Sequence, residues 1–146
     1  MRFWSWFWLI DLALLLVIAG LNFFAWRYFW YWRFDAYGFD KLMHLLGGLL
    51  IGLTVAGLWC WWREKKSLPL KKRDLFSLVG LAVLAIGGSW EVIEWNAYKH
   101  EATFLWIKHF ADLTSGWLDT TTDFISDLVG GLLGASLLYL WRRIKN

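Results

Sequence analysis

The chain has 146 residues, of which 59% are hydrophobic, with 14 tryptophans, a single proline and a formal charge of +3. That apolar share exceeds the roughly 45–50% of a soluble globular domain and is concentrated in blocks, which excludes a water-soluble enzyme fold. The basic excess has a topological explanation, given below, that makes nucleic-acid binding unnecessary.

Four apolar blocks approach the roughly 20 residues needed to cross a bilayer. They lie at about 4–26, 42–62, 75–95 and 124–141, and they leave too little chain for a second domain. The expected fold is therefore all-α: one polytopic membrane domain of four transmembrane helices. The first block carries Trp4, Trp6 and Trp8 near its start and Asp11 inside it. Its apolar run is too long for a signal peptide and lacks a small-residue cleavage site, so it is expected to remain as a span. Asp11 is expected to reach toward Arg63 or Arg73. Residues 27–38 (RYFWYWRFDAYG) are too polar to span and too aromatic for a free loop, and predict an interfacial helix ending near Gly38.

The second block opens with Asp40 and His44 and contains Gly48 and Gly52. Cys60, the sole cysteine, sits among Trp59, Trp61 and Trp62 and has no disulfide partner; it is expected to be inert. Arg63, Lys65, Lys66, Lys71, Lys72 and Arg73 then crowd the connection to the third block. That block ends with Gly87, Gly88, Glu91 and Glu94. In the following connection, residues 96–118, Phe104, Ile107, Phe110 and Leu113 recur at helical spacing and predict a short amphipathic helix. His100 and His109 lie there too. The fourth block is preceded by Asp119 and Asp123, contains Asp127, Gly130 and Gly134, and is followed by Arg142, Arg143 and Lys145.

Cytoplasmic loops of membrane proteins are enriched in Lys and Arg, which places the basic connection and the C-terminus inside. Four spans then put both termini in the cytoplasm, with the basic loop on anionic headgroups. Asp40, His44, Glu91, Glu94, Asp119, Asp123 and Asp127 all fall at the opposite, outer end. Their spacings are i,i+4, i,i+3 and i,i+4,i+8, so each set shares a helix face. The glycine pairs four apart predict close helix approach and a compact bundle of the second, third and fourth spans.

Ionisable groups at membrane depth are costly, and such a cluster is a functional-site hypothesis. Bundle-core metal sites draw carboxylate and His ligands from facing helices in this way. The expected ligands are His44, Glu91, Glu94, Asp119 and Asp123, with His44 and Asp127 as catalytic groups: His44 as ligand or base, Asp127 as supporting group. The donor set suits Mg²⁺, Mn²⁺ or Ca²⁺, or Zn²⁺ or iron if His44 ligates. Blander readings stand beside this one. Asp40 and Asp119 suit helix N-caps, and Asp123 suits a first turn. Arg27, Arg33, Lys41, Lys99 and Lys108 are available for salt bridges, or some carboxyls keep their protons. Glu91 and Glu94, at an expected helix C-terminus, are the hardest to explain locally.

Three segments carry a family resemblance: Asp40-Lys41-Leu42-Met43-His44, Trp90-Glu91-Val92-Ile93-Glu94-Trp95, and Trp117-Leu118-Asp119-Thr120-Thr121-Thr122-Asp123 with Gly130 or Gly131 following. With them the chain resembles the YjdF-like family of bacterial inner-membrane proteins and, more distantly, VanZ-like proteins. The resemblance covers about residues 40–140, leaving the first span outside. It implies a multi-pass protein with functional acidic positions but supplies no reaction. The VanZ-like association with glycopeptide-antibiotic tolerance points toward envelope lipids or wall precursors.

The leading expectation is a divalent-metal site in the outer leaflet that acts on or recognises an amphiphilic envelope molecule, as a metal-dependent hydrolase if an enzyme. Proton or cation transport and a non-catalytic accessory subunit are the alternatives. The expected partners are membrane lipids and a second copy or another membrane protein, with no nucleic acid.

Overall fold

The computed structural model describes residues 2–34, 38–99 and 117–145, and every described element is helical. Four long helices, α1 (Arg2–Tyr28), α3 (Phe39–Lys65), α4 (Lys72–Lys99) and α5 (Trp117–Lys145), are joined by a single short turn, α2 (Trp30–Arg33), between the first two. All four long helices are apolar enough to cross a membrane. At 1.5 Å per residue, 27 residues reach about 40 Å, so each extends beyond the roughly 30 Å hydrocarbon core into the headgroup zone. Helix satisfies every backbone group internally, which lipid requires.

Helix ends follow local chemistry. α3 starts after Gly38, whose φ of 70° is left-handed and suits glycine. It ends in a turn in which Lys66, Ser67 and Leu68 donate back to Trp62, Glu64 and Arg63. Arg63 then donates to the Pro69 carbonyl, pinning the turn before α4.

The tightest seam is between α3 and α5, where glycine removes the side chains that would hold backbones apart. A Cβ at Gly48 would overlap the Asp127 carbonyl, at Gly52 the Gly131 carbonyl, and at Gly130 the Leu45 carbonyl. α4 closes the bundle with Leu75, Val79 and Val83, four apart, buried against Ala56, Cys60, Ala135 and Leu138. α1 is peripheral: Phe7 packs where a Gly57 Cβ would stand, while Leu9, Leu12, Leu16 and Val17 remain exposed, as a lipid-facing helix requires.

The two ends of the bundle differ in chemistry. At one end Trp4 and Arg142 both donate to Glu64, and Phe3 meets Trp141 at 5.0 Å. The start of α1, the end of α3 and the end of α5 therefore converge there, and Lys72 at the start of α4 lies over Phe76 and Tyr139. Asp40, Glu91, Glu94, Asp119, Asp123 and Asp127 gather at the opposite end.

Several boundaries differ from expectation. α5 begins seven residues earlier than the apolar block, so Asp119 is in its first turn and Asp123 lies deeper. Gly38, not Asp40, caps α3. α4 continues past Glu94 to Lys99, so both glutamates are one to two turns inside the helix. The aromatic segment is divided between the end of α1 and the four residues of α2. The amphipathic helix expected around 104–113, with His100, Lys108 and His109, lies outside the described residues.

Candidate functional site: a carboxylate–histidine cluster

The site is assembled by three helices. α3 contributes Asp40, Lys41 and His44, α4 contributes Glu91 and Glu94, and α5 contributes Asp119, Asp123 and Asp127. Asp40, His44, Asp123 and Asp127 are buried. The glycine seam brings them together, because Gly48 lets Asp127 close on α3. Gly87 clears space on α4, where a Cβ would stand 2.5 Å from the Asp127 carboxylate.

Three triads place one donor atom from each member within 4.8 Å of the others: Asp40–Asp119–Asp123, His44–Glu91–Asp123 and Asp40–His44–Glu94. The first already holds a cation. Lys41 Nζ lies 3.1, 2.5 and 2.7 Å from Asp40, Asp119 and Asp123. The second is sealed between the helices. His44 Nε2 is 4.0 Å from Glu91 Oε1 and 3.9 Å from Asp123 Oδ1. Both of those oxygens are buried; Glu91 Oε1 has no hydrogen-bond partner, whereas Asp123 Oδ1 has the Lys41 ammonium 2.7 Å away. His44 Nδ1, on the other side of the ring, is 3.4 Å from Asp127 Oδ2. A ring nitrogen facing acids with its opposite nitrogen on a carboxylate is how metal-binding histidines are held. Donors on a metal at about 2.1 Å stand roughly 3–3.5 Å apart, so His44 Nε2 would close on Glu91 and Asp123 by about 0.5–1 Å around an ion. The residues present fit a divalent cation.

The charge balance is lopsided. Six carboxyl groups share the Lys41 ammonium and the His44 imidazole. Among the described residues, Lys41 is the only Lys or Arg paired with them. Arg27 lies over the Tyr28 ring instead.

The third triad faces a cavity of about 510 Å³ between α1, α3 and α4, with α2 above it. Ile18, Met43, Ile51, Ile86 and Ile93 supply its apolar walls; Asp40, His44, Glu94 and Asp127 supply its polar end. Tyr31 donates to Asn22 at its rim at 2.6 Å. Burial, with Asp40 and Glu94 nearby, holds the Tyr31 phenol well above its ordinary pKa.

All the candidate residues named from sequence are thus brought to one place. Asp119 enters through Lys41, Glu94 through the cavity, and Asp127 stands behind His44. Asp11 is elsewhere and does not reach Arg63 or Arg73; it accepts from Thr54 at 2.9 Å, against α3. Sequence reasoning passed over Asn22 and Tyr31 and treated Lys41 as one of several surface cations. A polar Asn inside an apolar block was the available signal for the first.

Fold and site together define a multi-pass membrane protein with a polar cluster at one end of its bundle. The chain belongs to the family described as "Predicted membrane protein (DUF2238)", which it matches over residues 2–144. The match takes in the first span, which the resemblance to YjdF-like proteins had left outside. No curated protein and no solved structure matches the chain.

Proposed function

We propose that the cluster binds one divalent cation at His44, Glu91 and Asp123, in the outer leaflet of a bacterial-type inner membrane, and serves an amphiphilic envelope molecule held in the adjoining cavity. The observation that carries the metal half is that Glu91 Oε1, buried with no hydrogen-bond partner, belongs to a triad with His44 and Asp123. Such an oxygen costs free energy unless a cation or proton reaches it. Asp127 orients His44 from behind, and Glu94 and Asp119 set the surrounding charge. A bound ion would supply Lewis-acid chemistry or an activated water. Orientation rests on the basic turn and basic C-terminus at the opposite end. The envelope molecule rests on the cavity and, by analogy only, on the VanZ-like resemblance.

Elemental analysis of gently purified protein tests the metal. About one divalent ion per chain is expected, lost in Glu91→Gln and Asp123→Asn; absence of any stoichiometric ion removes the reading. Lys41 favours a second reading, in which the acids only lock the bundle, because it already neutralises one triad from within the chain. Under that reading, neutralising Glu91 and Glu94 changes stability and no ion is found.

A further inference from the structure

The cavity between α1, α3 and α4 has a chemistry of its own. At about 510 Å³ it falls within the roughly 300–1,000 Å³ of small-molecule sites. Its walls are mainly apolar, and Ile86, Trp90 and Ile93 on α4 are each more than a third exposed, so it is open on the side where α4 faces lipid. An alkyl chain can enter there without crossing water.

Its polar end is selective by sign. Asp40, Glu94 and Asp127 line it with His44, and among the described residues no Lys or Arg does. A phosphate or sulfate headgroup would meet carboxylates in a low-dielectric pocket, and a neutral one would leave them uncompensated. The neighbouring triad shows which group such acids accept, since the Lys41 ammonium sits among three carboxylates there. Asp40 belongs to both triads. Its Oδ2 faces Lys41 at 3.1 Å, and its Oδ1 turns the other way, 3.8 Å from His44. Tyr31 and Trp90 add aromatic surface of the kind that holds substituted ammonium groups.

We infer that this cavity binds a single-chain amphiphile with an ammonium headgroup, its nitrogen between Asp40 and Glu94 and its chain along Ile18, Ile51 and Ile86. The inference deepens the amphiphile half of the proposed function and does not need the metal half. Ammonium and metal use different triads, which share only His44.

Native mass spectrometry of the full chain in a neutral detergent tests it, with tetradecyltrimethylammonium as probe and tetradecyl phosphate and tetradecyl maltoside as chain-matched controls. One ammonium amphiphile per chain is expected, bound about tenfold or more tightly than either control. Glu94→Gln should weaken it about tenfold, and Ile86→Trp, which fills the cavity, should abolish it. Asp74→Asn, in the first turn of α4 at the opposite end of the bundle, should leave it unchanged. Equal binding of all three probes in the unaltered chain, preference for the phosphate, or a dimer dissolved by Ile86→Trp with no amphiphile bound would overturn the inference. Repeating the titration with EDTA separates the two claims. Ammonium binding without any Mn²⁺ binding sinks only the metal half, and Mn²⁺ binding without ammonium binding sinks only this inference.

Discussion

Lys41 and His44 are three residues apart on one helix and play opposite parts. Lys41 is a cation the chain supplies to three carboxylates; His44 turns one nitrogen toward Asp123, which it shares with Lys41, and toward Glu91, which no Lys or Arg among the described residues pairs with. Replacing Lys41 with Met should leave Asp40, Asp119 and Asp123 crowded and unpaired, lowering stability by roughly 1–3 kcal/mol. The double variant Lys41→Met/Asp119→Asn should recover part of that loss. Thermal unfolding in detergent reads both, and an unchanged midpoint in the single variant would mean the ion pairs contribute nothing. The spacing of Asp40 and His44 was legible in sequence because it is set by one helix. The direction of Lys41 was not, because a lysine in a first turn ordinarily extends to solvent, and its partners lie 78 and 82 positions away on α5.

At the scale of elements, the α3–α5 seam is the most sensitive contact. Gly48→Ala would drive a methyl group into the Asp127 carbonyl, which is backbone and cannot swing aside. Destabilisation of about 1–3 kcal/mol is expected, together with displacement of Asp127 from His44. Gly47→Ala, one position away in open space, should be neutral or stabilising by up to about 1 kcal/mol. Equal effects at the two positions, measured side by side by unfolding, would remove the close-approach explanation. The glycine spacing made this seam readable in advance. Helix ends were less readable, because hydropathy falls where Asp119, Asp123 and Glu94 begin, while backbone hydrogen bonding continues through the headgroup zone. That is why aspartates expected as caps lie within a helix. It is also why the glutamates lose the unfavourable helix-end position that had made them look hardest to explain.

For the whole molecule, the separation of a basic end from an acidic end is the dominant feature. Charge topology predicts that the α3–α4 turn is cytoplasmic and the start of α5 external. In intact cells, a membrane-impermeant maleimide should label Trp117→Cys, a position 91% exposed, and spare Ser67→Cys until the membrane is opened. The reverse pattern would place the acid cluster in the cytoplasm. The four-helix architecture was legible because a bilayer imposes length and hydropathy on every span. The cavity was not, because it exists only where α1 stands away from α4, a packing outcome with no linear signature beyond Asn22 and Tyr31.

The cation-binding character of the cluster is tested most directly by titrating Mn²⁺ and Zn²⁺ calorimetrically into EDTA-stripped protein. One site per chain is expected, weakened at least about tenfold by His44→Gln, Glu91→Gln and Asp123→Asn, and untouched by Asp74→Asn at the far end. No heat of binding for either ion, or equal affinity in all four variants, would contradict it.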